Sequence, residues 1–356
     1  MKTLNANQIL GQQQSSRDAY FSLIFTSKDG LTTYDFSTDS AVYPDRILLI
    51  DHTEEPYNDY AYIMLRNDNR DIPDLKGYWV EIGYGDYYSG TAYHSHVGRL
   101  WVKEQRIISA PGRLYTLLVL TGVWELFKEQ PGLAGTALSG YTDAGATVWN
   151  GMAIFWIISE IAQGVEDVTG YVTVTQYEGT DFDQGMFYYY PGAEIDIIPW
   201  ANASELIQKL LSWTKCFIRI REGFTLDVVY PKDTDVAVKT FYNNQVPKFI
   251  EYTDSDNVLV PNRIIVYYNQ ISDNPETWPD PIPMAESLDT ASIAAYMEVP
   301  KHFKVGIISS SSDAQIRADA ILMKSKYQMV QGQLIMPHDA SLELYDLIAI
   351  SDTRGS

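Results

Sequence analysis

The chain is 356 residues long and carries 46 acidic against 26 basic side chains, a formal charge of −20. Such an excess repels nucleic-acid phosphate and argues against a protein that reads base sequence. A hydrophobic share of 46% with 20% charged residues is that of a soluble globular protein with room for two or more domains, which excludes wholesale disorder.

Residues 1–20, MKTLNANQILGQQQSSRDAY, are polar and glutamine-rich and read as an arm or loose lead-in; with no apolar core stretch they do not form a signal peptide. Phe21–Phe25 reads as a short strand and Lys28-Asp29-Gly30 as a turn. From Arg46 the strands come quickly: Ile47–Asp51, Tyr60–Arg66, Tyr78–Tyr84, Leu100–Ile108 and Leu114–Thr121. Clusters of Gly, Pro, Asn and Asp separate them. Short strands at close spacing predict an antiparallel barrel or sandwich, and 26 Tyr and 8 Trp fit a strand-rich chain.

Residues 131–150 are small and glycine-rich and read as a linker. Thr147–Gln163 reads as a helix burying Val148, Met152, Phe155, Trp156 and Ile161, and its apolar run is too short to span a bilayer. A tyrosine-rich, strand-like section follows at Tyr171–Tyr190. From Trp200 the pattern is clearest. Asn202 with Glu205 starts a helix, and Leu206, Ile207, Leu210 and Leu211 give it one apolar stripe. The period then changes to two: Ile218 and Ile220 alternate with Arg219 and Arg221, Glu222-Gly223 turns, and Phe224, Leu226 and Val228 return. Cys216, the single cysteine, opens this strand as a small buried side chain and leaves no disulfide framework or cysteine zinc cluster.

Val258–Asn269 reads as a strand and residues 273–284, with Pro275, Pro279, Pro281 and Pro283, as a loop. Ser312–Gln328 reads as a helix with a capping box at Ser312 and Gln315 and a face of Ile316, Ala320, Met323 and Tyr327. Gln333–Met336 and an alternating stretch at Leu342, Leu344, Asp346, Ile348 and Ile350 then read as closing strands.

The usual chemical motifs are incomplete. Gly83 and Gly85 in GYGDYYSG lack the third glycine of a dinucleotide cradle, where Tyr88 stands. Ser139 is flanked by Ala137 and Tyr141 where a nucleophile elbow needs glycines. His94 and His96 share a strand face, but no further ligand stands at metal spacing. Asp181 and Asp183 before Gly185 lack the closing acid of a calcium loop. The 46 acids make any single glycosidase-style pair uninformative. Tyr188, Tyr189 and Tyr190 suit a sugar platform or, more often, packing. No catalytic, cofactor-binding or metal-ligating residue is assigned.

The order of features carries a resemblance. The helix ELIxxLL with its hairpin at 200–230 is similar to a pattern in bacteriophage tail proteins. So are YIMLRNDNRDIPDLKGYWVEIGYG, GRLWVKEQRIISAPGRLYTLLVLTGVWELFKE, and the late helix followed by L-x-L-x-D-x-I-x-I-x-D. Together they resemble the tail hub, or baseplate hub, proteins of the late control protein D-like family. Trp101 and Thr121-Gly122 depart from the pattern. The resemblance covers residues 45–128 and 200–352.

It implies a mainly β fold with a few helices (α+β), with two tube-like antiparallel β-barrels. Residues 1–44 would form an arm and first strand, 45–130 the first barrel region, 131–200 a linker, helix and Tyr-rich insertion, and 201–356 the helix-hairpin and second barrel region. It also implies a non-enzymatic virion component, made in the host cytoplasm without stable membrane insertion. Its partners would be two further copies in a homotrimer, a tail tube or distal tail protein, and tail tip or baseplate proteins, with DNA passing through the lumen without specific binding. A carbohydrate-binding receptor-recognition protein and a cell-wall glycan hydrolase are the alternatives.

Overall fold

The computed structural model describes residues 1–14, 16–130, 152–163, 173–175, 182–191, 202–256, 260–269, 277, 279–305, 308, 310–327 and 330–354. The glycine-rich stretch 131–150 (with Ser139 and Val148), residues 171–172 and 176–181 of the Tyr171–Tyr190 section (with Asp181), and Pro275 lie outside them.

Helix α1 (Ala6–Gln12) falls in the polar lead-in. It is followed by β1 (Ala19–Ser22), β2 (Ile24–Thr26), β3 (Thr33–Asp35), β4 (Ile47–Glu55), β5 (Asn58–Arg66), β6 (Trp79–Tyr88), β7 (Thr91–Ala110) and β8 (Arg113–Gly122). These eight strands make one antiparallel sheet in the order β3-β2-β6-β7-β8-β5-β4, with β1 also on β6. Period-two alternation sends Ala61, Ile63 and Leu65 of β5, Val80 and Ile82 of β6, and Leu118 and Leu120 of β8 to one face. There they pack with Leu23, Phe25 and Phe36 in a single core. The β6–β7 turn is two residues, Ser89 and Gly90, both at positive φ (51° and 79°), the twist-compatible hairpin geometry. The sheet's ends face each other across a groove of about 380 Å³ between Phe21 and Thr38 on one side and Ile47 and Leu49 on the other. No ladder joins those ends among the described residues.

The second group comprises α2 (Val123–Glu129), α3 (Ile154–Gln163), β9 (Thr173–Thr175), α4 (Gln184–Phe187), α5 (Ala203–Leu211), β10 (Phe217–Arg221) and β11 (Thr225–Val229). On α5, Asn202 Oδ1 accepts the Glu205 N–H at 2.8 Å, and Leu206, Ile207, Leu210 and Leu211 are all buried. They meet Phe155, Ile158, Trp213, Ile218, Leu226 and Val228 in a second core, which also takes Cys216. On α3 the buried set is Ile154, Phe155, Ile157, Ile158 and Ile161. Trp156 is 52% exposed, contrary to the expected stripe, because the isoleucines on either side of it already fill the core-facing arc.

The third group comprises β12 (Lys239–Tyr242), β13 (Glu251–Asp256), β14 (Arg263–Tyr268), β15 (Met284–Leu288), α6 (Thr290–Ala295), β16 (Pro300–Val305), α7 (Ser311–Tyr327), β17 (Val330–Ile335) and β18 (Ile348–Ser351). Its strands form sheets of three (β15-β14-β16) and two (β12-β18, β13-β17). Helix α7 packs Ala314, Ala318 and Leu322 on Ile264 and Val266. The expected capping box is not made. Ser310 Oγ accepts the Asp313 N–H, while Gln315 donates to Glu286 O and Asp319. Tyr327 is 42% exposed rather than on the buried face. Of the alternating Leu342–Asp352 stretch, only Ile348–Ser351 is strand; Tyr345 sits at φ 71° in a turn. The chain is thus mainly β with a few helices, as expected, and has no closed barrel among the described residues.

Candidate functional site

The three groups meet at a cavity of about 220 Å³. β4 contributes His52 and Glu54, β6 contributes Tyr84, and β7 contributes His96. The β10–β11 hairpin contributes Arg219 and Arg221, and the segment after β17 contributes His338 and Glu343. The hairpin reaches β7 through a close approach. A Cβ at Gly98 would lie 2.7 Å from Ile220 Cγ2, so only glycine admits the isoleucine.

Strand alternation puts Arg219 and Arg221 on one face, with Arg219 directly opposite Asp227. Arg219 Nε donates to Asp227 Oδ2 at 2.8 Å, and its Nη1 donates to Asp346 Oδ1 at 3.1 Å. Arg221 grips Glu343 with both arms of its fork, Nε and Nη2 each at 2.7 Å. The Met1 amine adds a bond to Asp346 Oδ1 at 2.8 Å. The side chains of Arg219, Asp227, Glu343 and Asp346 are between 7% and 12% exposed, so this network is largely out of water. It fastens the hairpin to a turn more than 120 residues later in the chain.

A second cluster lies across the cavity. His52 Nε2 and Asp59 Oδ1 are 2.9 Å apart, and the imidazole is parallel to the Tyr84 ring at 6.0 Å between centroids. Burial works against charge on His52, but the hydrogen bond and charge of Asp59 outweigh it and raise its pKa. Glu54 faces the same cavity, where desolvation pushes its carboxyl up. His338 also lies against the Tyr84 ring, 4.5 Å between centroids; burial and then Arg17 lower its pKa. Arg17 in turn binds Asp86 through Nε (3.0 Å) and Nη2 (2.6 Å), and donates to His338 O at 2.7 Å. The carboxylates of Asp59, Asp227, Glu343 and Asp346 thus each hold a cationic or imidazole partner, and the arrangement ties together segments distant in sequence.

The residues weighed for chemistry find other employment. A Cβ on Gly85 would lie 1.9 Å from Tyr93 O, and one on Gly83 would lie 2.7 Å from Ser22 Cβ, so these glycines let β6 pass between β1 and β7. His94 and His96 stand 4.9 Å apart edge to face. His94 lies against Tyr20, where burial lowers its pKa, and His96 faces Glu222 at 3.9 Å. No three His, Cys, Asp or Glu side chains among the described residues are placed to hold a metal ion. Asp183 caps α4 through the Gly185 N–H and also accepts the Lys215 N–H at 2.9 Å. Tyr189 is buried near Trp213, while Tyr188 and Tyr190 are exposed. The arginine–carboxylate network went unread in the sequence, although the Arg-x-Arg hairpin and the Glu343 and Asp346 pair were both visible.

No protein-family model matches the sequence, and no curated protein sequence matches it. The fold is similar to that of a tail protein from Neisseria meningitidis MC58, with a TM-score of 0.59 over 95% of this chain and 87% of that one, at 12% identity. It is also similar to the 43 kDa tail protein of prophage MuSo2 from Shewanella oneidensis, with a TM-score of 0.57 over 95% and 89% of the two chains at 10% identity. The chain has the fold of these tail proteins.

Proposed function

We propose that the chain is a tail hub protein, a structural component of a phage virion that joins the end of the tail tube to the baseplate or tail tip. The observation that carries this reading is the fold, which spans nearly the whole of this chain and of two tail proteins at once. Three copies form a ring, each contributing one tube-like module from residues 45–130 and one from 201–356, with 131–200 between them. The modules complete their barrels on assembly, and DNA passes through the lumen without specific binding. The net charge of −20 supports a lumen to which phosphate does not adhere. The buried arginine–carboxylate network supports a rigid adaptor, because it locks the hairpin to the Glu343–Asp346 turn far along the chain. The protein's role is assembly, without bond-breaking of its own.

Light scattering of the purified chain, alone and mixed with the cognate tail tube protein, tests this reading. The expected result is a trimer, formed alone or on the tube end. A chain that stays monomeric in both conditions refutes it.

A further inference from the structure

The large sheet leaves three stretches of strand edge without a ladder partner among the described residues: the three-residue β3, which pairs only with β2, and two longer ones. β4 pairs only with β5, and beyond Val102 β7 pairs only with β8. An unpaired apolar edge is a template for another chain, and proteins blunt such edges unless they are used. Neither of the two longer edges contains proline, and each carries exposed apolar side chains: Leu48 and Leu49 on β4, 40% and 47% exposed, and Ile107 and Ile108 on β7, 67% and 37% exposed.

The side-chain parity of the two edges fits one alignment. On β4, Leu49 and Asp51 stand opposite Met64 and Tyr62 on the outer face, while Ile50 turns inward opposite the buried Ile63. On β7, Arg106 and Ile108 stand opposite Leu117 and Tyr115 on the outer face, while Ile107, itself exposed, falls on the same face as the buried Thr116 opposite it. Laid antiparallel, one register pairs Leu49 with Ile108, Ile50 with Ile107 and Asp51 with Arg106. A slip of two residues keeps the faces but sets Asp51 against Glu104 or Ile108, so charge selects among the registers. Arg106 is accessible for this. Its side chain is 57% exposed, and its guanidinium donates to Glu104 on its own strand.

We propose that β4 of one copy adds to the free edge of β7 in a second copy, antiparallel and in this register. The inference rests on the hub reading and specifies how its copies join. Because two different edges meet, the contact is head-to-tail, the kind that closes into a ring. It continues the large sheet from one copy into the next.

The test compares the full-length wild type with Asp51→Arg, Arg106→Asp and the double variant by light scattering across a concentration series. Each single variant is expected to weaken association at least ~tenfold, and the double to recover to within about threefold of wild type. Unchanged thermal midpoints would show that the fold is intact. Hydrogen exchange is expected to slow at Leu49–Thr53 and Arg106–Ala110 together on assembly. Single variants that assemble as well as wild type, or protection confined to other segments, overturn this interface while leaving the hub reading standing. A wild type that never associates, with or without tube protein, overturns both.

Discussion

Arg219 is the sharpest probe of how the groups are held together. Arg219→Met keeps most of the apolar stem but removes contacts to Asp227 (2.8 Å), Asp346 (3.1 Å) and Glu343 (3.4 Å) from a side chain only 11% exposed. Removing one partner of a buried ion pair typically costs about 3–5 kcal/mol. Each carboxylate here keeps a second cation: Arg221 for Asp227 (3.3 Å) and Glu343 (2.7 Å), and the Met1 amine for Asp346 (2.8 Å). The loss should therefore fall at or below the low end of that range, ~2–3 kcal/mol, which in a chain of this size lowers the thermal midpoint by about 3–4 °C. Differential scanning calorimetry at neutral pH reads this directly. Raising the salt should change the difference little, because a buried pair is weakly screened. A midpoint within about 1 °C of wild type, or a difference abolished by salt, would refute the claim that this network carries the junction.

Further outcomes follow from other sites. Gly85→Ala should destabilise by ~3 kcal/mol or more or fail to fold, because its Cβ meets backbone at Tyr93 and His94, whereas Gly30→Ala, where nothing lies within 4 Å but φ is +72°, should cost only about 1 kcal/mol; urea midpoints compare them. His52 has a folded pKa above the ordinary 6.5, so its stabilisation is complete below pH 6.5 and is lost as pH rises through the folded value; His52→Gln should flatten that alkaline-side decline in stability–pH curves. His338 has a folded pKa below 6.5, so its penalty appears as pH falls from 6.5, and His338→Gln should remove an acid-side decline instead. Lys324, lowered by burial to about 8 from 10.5, makes stability rise between those pH values as the folded state sheds a proton the unfolded chain keeps. Lys324→Met should abolish that rise and gain ~1–2 kcal/mol at pH 7, less than the ~3 kcal/mol of the full shift because the bond to Leu211 O and the contact with the Phe217 ring are lost.

The most local signals were the most legible. The Asn202 cap, the leucine stripe of α5 and the alternation of β10 and β11 each act within a few residues, and all stand in the structure as read. Features whose cause is distant were not legible. Helix α1 lies in a glutamine-rich stretch because its inner face is polar: Gln8, only 2% exposed, donates to Tyr84 O, so no apolar stripe announces it. β7 begins at Thr91, nine residues before the Leu100 start read from the sequence, because its first half is held by pairing with β6 rather than by apolar alternation. Leu342–Leu347 alternates like a strand yet turns, because Glu343 and Asp346 are claimed by arginines of a hairpin far upstream. The parallel pairing of Lys239–Tyr242 with Ile348–Ser351 spans more than 100 residues and leaves no local trace.

Electron microscopy of the full chain mixed with its tail tube protein tests the central claim most directly. The account predicts three-fold rings with an open central channel, about three times the 40.3 kDa chain mass, seated on tube ends. Solitary 40.3 kDa particles beside bare tubes would contradict it.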